Sequence, residues 1–196
     1  MKTGSKFLAS VGAITIIVVA IGAGVIFSGA YDVGAMNKHS QMVSGFLETT
    51  MRRSIKHHAQ KVTIPPSINL HDPALATKAS ADYAEMCLTC HGAPGRKPDP
   101  WTAGLHPEPP SLTEAIHASQ WTDAEVYWII KHGIKDTGMM AFGPSHQDDD
   151  LWALSALVRQ LPNITPDQFR AMTDHATAME KAGHSAHDQD THSHHD

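Results

Sequence analysis

The sequence predicts an all-α protein, a single N-terminal transmembrane helix followed by a small helical domain. Three observations carry that prediction. Residues 7–30 hold no charge and are rich in Ile, Val, Ala and Gly, and about twenty apolar residues are enough to cross a bilayer as a helix. Further on, apolar residues recur at helical spacing behind recognisable caps, and no segment shows the strict alternation of a half-buried strand. The 196 residues contain only two cysteines, and both fall in one short motif, Cys87-Leu88-Thr89-Cys90-His91.

The elements follow in order. Lys2 and Lys6 precede the uncharged stretch, and the next charge is Asp32. Residues 1–30 read as an uncleaved anchor; a signal peptide cut near Ser28, Gly29 and Ala30 is the rival, disfavoured because the apolar run is longer than a signal needs. Either reading exports the remainder of the chain, with the two lysines left on the cytoplasmic side. Residues 31–71 form a juxtamembrane connector. In it Met42, Val43, Phe46, Leu47, Met51 and Ile55 make a broad apolar face, and Arg52, Arg53, Lys56 and Lys61 gather towards its far end. That pattern suits an amphipathic helix lying at lipid headgroups, or equally one packed on the domain or on a partner. Pro65 and Pro66 mark the hinge into the domain.

The domain spans residues 72–162. Asp72 and Pro73 read as N-cap and first residue of a helix running through Tyr83 to Cys87. Thr122 and Glu125 make a capping box ahead of Val126, Tyr127, Ile129 and Ile130, and Gly133 closes that helix. The acidic run Asp148, Asp149 and Asp150 suits the positive end of a third helix, with Leu151, Leu154, Val158 and Leu161 on one side and Pro162 as its stop. Such a short domain buries a marginal core unless something else fills it. Residues 163–183 predict one more helix, capped by Thr165, Pro166 and Gln168, lined by Phe169, Met172, Ala176 and Met179, and ended by Gly183. Residues 184–196 are expected to be disordered; His184, His187, His192, His194 and His195 either bind copper, zinc or nickel or stay solvated.

The cysteine motif carries the chemistry. CxxCH is the sequence to which haem is attached through two thioethers, the histidine behind taking the iron. Two thiols three positions apart lie on one face of a helical turn, so both reach the vinyl groups of one porphyrin, and His91 projects towards the metal. A thioredoxin-like reading needs a strand before the motif, whereas Cys87 ends a helical pattern. Zinc needs four ligands, and the motif offers three at most. One covalent haem c, held by Cys87 and Cys90 with His91 on the iron, is therefore expected, and the small domain would wrap around it.

Downstream, Thr137, Gly138, Met139, Met140, Ala141, Phe142 and Gly143 resemble the loop commonly read as TGMPAFG in class I monohaem cytochromes c, with Met140 standing where that family has proline. The resemblance implies a methionine as second axial ligand, a soft thioether that raises the potential relative to bis-histidine ligation. Register favours Met139, with Met140 as a packing or surface residue. His106 to Leu112, HPEPPSL, resembles the family's proline-bearing loop, in which a prolyl carbonyl orients the ligand imidazole; Pro110 is the first choice and Pro109 the second. In that family the last helix crosses the first, which would put Tyr83 near Leu154 or Trp152 in a core role. Fragments of the connector, YDVGA from Tyr31, LETT from Leu47 and RSI from Arg53, resemble membrane-anchored members weakly.

Taken together, these implications describe a single-pass protein of a bacterial inner membrane with its haem domain in the periplasm, passing single electrons between redox proteins. The alternatives are an open-site haem enzyme or gas sensor, and a cytochrome subunit of a larger dehydrogenase or oxidase complex. The formal net charge is -5 with neutral histidines, and no basic stripe suggests nucleic acid. Arg96, Lys97 and Lys131 are expected near the haem edge, where charge steers encounter more than it holds a complex.

Overall fold

The computed structural model describes residues 2–191. Among them the chain is helical, with one isolated antiparallel bridge between Ala93 and Arg96 and no β-strand. It divides into two compact units, Met1–Lys38 and His39–Asp196.

The first unit is built on α1, Lys2–Ser28. Its segment Lys6–Ser28 is 23 residues long and holds an 18-residue stretch with a mean hydropathy of 2.5, and at 1.5 Å per residue the segment measures about 35 Å, more than the roughly 30 Å hydrocarbon core. Length and composition thus allow a crossing; a signal sequence meets the same conditions. Gly29, at φ 67°, ends the helix in the left-handed region.

The second unit begins with α2, Gln41–Ala59, whose N-cap Ser40 accepts from the Val43 N–H. Ile55 and Ala59, 2% and 3% exposed, are the buried residues of α2, and the helix packs against α7, Asp123–His132. Arg52 donates to the Gln120 side chain at 3.0 Å and lies 5.0 Å over the Trp121 ring. His58 stacks on Trp128, whose ring also meets His132. The C-terminal half of the connector helix is therefore part of the domain, while Met42 and Phe46 in its first half stay exposed.

The helix expected from Asp72 to Cys87 is interrupted. Asp72 does cap it, accepting from the Ala74 N–H at 2.9 Å. It then runs as α3, Pro73–Lys78, and α4, Ser80–Asp82, widens to a π turn over Tyr83–Cys87, and resumes as the single turn α5, Leu88–His91. The π turn coincides with tertiary demands that local propensity does not encode. Tyr83 is fully buried and its hydroxyl donates to the Gly92 carbonyl at 2.7 Å. Its ring meets Phe169 edge-on, and Trp152 instead stacks on Tyr127 at 3.9 Å; all four belong to one core that includes Leu154.

After the short α6, Ala115–Ser119, comes α7, where the capping box is complete: Glu125 N–H donates to Thr122 Oγ1 and Thr122 N–H to the Glu125 carboxylate. The next helix, α8, Asp148–Gln160, carries three aspartates in its first turn, where the dipole favours them. Every residue from Leu151 to Val158 is buried, because α3 and α7 both pack on α8. Each of its leucines contributes on the order of 1.5–3 kcal/mol by burial. Pro162 falls in a 3-10 turn, Leu161–Asn163, that ends it.

The last helix, α9, Pro166–Thr191, opens on reciprocal hydrogen bonds between Thr165 and Gln168 and packs on α3 and α4. It does not stop at Gly183 but continues to Thr191, so the start of the segment expected to be disordered is helical. A single glycine costs a helix about 1 kcal/mol relative to alanine, and no proline follows it.

Candidate haem site

Leu88, 6% exposed, pins the α5 turn to the core and leaves Cys87, Cys90 and His91 half-buried around it. Both cysteines are free thiols. Burial, with Asp82 and Cys90 adding to it, pushes the Cys87 thiol up to about 12. This is the opposite of the depressed thiol that redox-active CxxC motifs use.

Gly92 ends the turn at φ 70°, and a Cβ there would meet the Arg96 carbonyl oxygen at 2.8 Å. The chain reverses at once through Ala93, Pro94, Gly95 and Arg96. Ala93 and Arg96 exchange N–H donations at 2.8 Å, and Gly95 supplies the positive φ, 79°, that the third position of a type II turn requires. Burial raises the Tyr83 phenol well above its ordinary value, so it stays a proton donor to Gly92.

The proline-bearing loop returns over the histidine. Leu112 N–H donates to the His91 carbonyl at 3.2 Å, and His91 Nδ1 stands 2.8 Å from the Pro110 carbonyl oxygen. A carbonyl can only accept. The proton therefore sits on Nδ1 and the lone pair of Nε2 is free. Burial holds the imidazole below its ordinary value, opposed by the Pro110 carbonyl, which keeps the ring in the neutral form that a ligand needs.

The methionine loop is fastened to the end of α7. Ile134 N–H donates to the Met139 carbonyl at 3.0 Å, Phe142 N–H to Ile130 at 3.1 Å, and Gly143 N–H to Lys131 at 2.9 Å. Within it, Met139 N–H donates to Thr137 Oγ1 at 3.1 Å. Met139 is partly buried against the core, whereas Met140 is 65% exposed. A Cβ on Gly138 would lie 3.0 Å from Leu105 Cδ1, so the methionine loop closely approaches the segment before the proline-bearing loop.

Two free thiols, an imidazole with Nε2 available and a half-buried thioether are the donor set that covalently bound haem c uses. The residues present fit that group. Lys131, expected near the haem edge, is engaged by Asp148 at 2.5 Å and by the Tyr127 hydroxyl at 3.2 Å, and Arg96 pairs with Asp99 at 3.4 Å. Among the described residues no three His, Cys, Asp or Glu side chains converge as a separate metal site. The side chains of His184 and His187, and all of His192, His194 and His195, lie outside the described residues. Sequence reasoning missed the Tyr83 to Gly92 bond, the Leu105 contact and the clamp of Arg159, which donates to the Trp121 carbonyl and to Asp123. Only the glycine directly after the motif hinted at any of these.

Residues 74–158 match the family model described as Cytochrome C oxidase, cbb3-type, subunit III. None of the curated proteins matches the chain. Among solved structures, a chain of the reducing HAO-like protein complex of Kuenenia stuttgartiensis is similar at 21% identity and a TM-score of 0.40, with 52% of this chain and 52% of that chain covered. This chain thus spans about half the length of that one. Residues 74–158 are a c-type cytochrome domain, a type whose cofactor is haem c and whose work is electron transfer.

Proposed function

We propose that this protein is a membrane-anchored carrier of single electrons, with one haem c joined to Cys87 and Cys90 and with His91 and Met139 as axial ligands. The observation that supports the reading is the 2.8 Å contact of His91 Nδ1 with the Pro110 carbonyl, because a proton held on Nδ1 leaves Nε2 as the nitrogen available to the iron. When bound, haem c supplies one-electron chemistry between ferrous and ferric iron. The chain's own residues do the rest. The Pro110 carbonyl orients the imidazole and adds to its basicity, and the half-buried Met139 is the thioether available to close the second axial side. Exposed Met140 is left as a surface residue. With both axial positions held by protein, no substrate needs to reach the metal.

The uncharged residues 7–28 behind Lys2 and Lys6 support an anchor with the domain on the periplasmic side. The test is the absorption spectrum of the purified protein, oxidised and reduced, with and without carbon monoxide. A closed carrier shows the near-infrared ferric band of a methionine-to-iron bond and ignores carbon monoxide. Loss of that band with rapid carbon monoxide binding would favour an open-site enzyme or gas sensor instead.

A second reading makes the chain the cytochrome subunit of a larger membrane complex. The oxidase subunit in the description of the matching family supports it. Native sizing of gently solubilised membranes tests it, since a lone carrier migrates with the mass of one chain and its detergent.

A further inference from the structure

The face of α2 turned away from the domain carries none of the residues proposed to hold haem. At 3.6 residues per turn, Met42, Phe46, Arg53 and His57 share one stripe, and Ile55 and Ala59, which pack on the domain, lie on the opposite side. Met42 is 84% exposed and Phe46 70%, flanked by Val43 and Leu47 at 41% and 47%. Large apolar side chains occupy the first turns of this stripe, and cations, Arg53 with Lys56 beside it, occupy the last ones. Both cations are exposed, and neither enters an ion pair among the described residues.

We propose that this face is seated in the surface of the bilayer, Met42 and Phe46 entering the boundary of headgroups and acyl chains, and Arg53 and Lys56 meeting anionic headgroups. The proposal rests on reading α1 as an uncleaved anchor. Two further observations choose lipid as the occupant. Only twelve residues separate Ser28 from Gln41, a tether that reaches about 43 Å at most, so α2 stays near the membrane that α1 crosses. The exposed face joins large apolar side chains with cations, the two chemistries by which a helix binds a lipid interface, whereas protein interfaces are depleted of lysine at their centre. The consequence is mechanical. α2 grips the domain through Ile55 and Ala59 and the lipid through the other side, which holds the cytochrome domain at the membrane surface.

The test uses the full chain with its haem, reconstituted into vesicles of phosphatidylethanolamine and phosphatidylglycerol that contain a phospholipid with a photoactivatable acyl chain. Trypsin separates residues 7–38, which report on α1, from residues 39–52, which report on the stripe. The expected result is lipid adducts on both peptides, with a several-fold loss on 39–52 in the Met42→Glu, Phe46→Glu double variant and none on 7–38. Both substitutions sit at exposed positions, so an unchanged haem spectrum will verify folding. Adducts on 7–38 alone would overturn the proposal and leave the anchor standing. Adducts on neither would overturn the anchor reading itself. Protection of Met42 from oxidation that grows with the protein-to-lipid ratio, without adducts, would assign the face to a second copy of the chain and also overturn the proposal.

Discussion

Gly133 lies so close to Met139 that a Cβ on the glycine would stand 2.7 Å from the Met139 carbonyl oxygen. The glycine also adopts φ 65° and ψ -170°, a region that is essentially closed to other residues. Gly133→Ala therefore meets both backbone strain and a clash with backbone that is itself hydrogen-bonded to Ile134. We expect it to cost about 2 kcal/mol or more in urea unfolding, of which roughly 1–3 kcal/mol is strain alone. Because the displaced atoms belong to the methionine loop, carbon monoxide should bind the ferrous variant and not the parent. A stable variant that still excludes carbon monoxide would show that the loop shifts without releasing its thioether.

Two adjacent thioethers make the ligand assignment directly testable. Met139 is packed against the core and Met140 is 65% exposed. Met139→Ala should open the iron to carbon monoxide and abolish the near-infrared band, while Met140→Ala should leave both unchanged and alter stability by no more than about 0.5 kcal/mol, as exposed substitutions usually do. If the Met140 variant opened instead, the assignment would be reversed.

What could be read beforehand divides along the distance over which a signal acts. The Thr122 and Glu125 capping box and the acidic first turn of α8 are local, and the structure contains both where residue spacing put them. The two readings of the connector could not be separated in the sequence, because Ile55 and Arg52 face partners on α7 and at Gln120 and Trp121, more than sixty residues away. The π turn at Tyr83 was illegible for the same reason, since its hydroxyl partner lies nine residues on, beyond any helical repeat. In the site, the CxxCH motif announced its own chemistry. The choice of Pro110 over Pro109 rested on resemblance, and it is the Pro110 carbonyl that lies within hydrogen-bond distance of His91.

Acid should erase one surface contribution at a predictable point. The Lys131 ammonium, donating to Asp148 at 2.5 Å, holds that carboxyl below its ordinary 3.8, with the Tyr127 hydroxyl helping. A carboxyl depressed on folding binds fewer protons in the native chain, so the stability it confers is full above the unfolded value and drains away as pH falls through the folded one. Asp148 is 62% exposed, so solvent screening limits the pair to about 0.5 kcal/mol. Asp148→Asn should thus be slightly less stable than the parent near neutral pH, and the gap should close below the carboxylate range. A gap that persisted in acid would assign the loss to packing rather than charge.

The two sides of α2 predict opposite responses to truncation. Ile55 is 2% exposed in contact with the domain, and Phe46, nine residues earlier, is 70% exposed. Removing a buried isoleucine side chain leaves a cavity as well as losing its transfer free energy, so Ile55→Ala should lower unfolding stability by about 2–5 kcal/mol. Phe46→Ala removes more atoms yet should change stability in detergent by only about 0.5 kcal/mol, because those atoms touch no core. Urea titrations followed by tryptophan fluorescence will separate the two, since Trp121 and Trp128 lie against Arg52 and His58 of the same helix. Equal small effects would mean that α2 is only a tether. A large loss at both positions would mean that the first half of the helix is covered by protein as well, and in that case the lipid-facing role proposed for Phe46 would also fail.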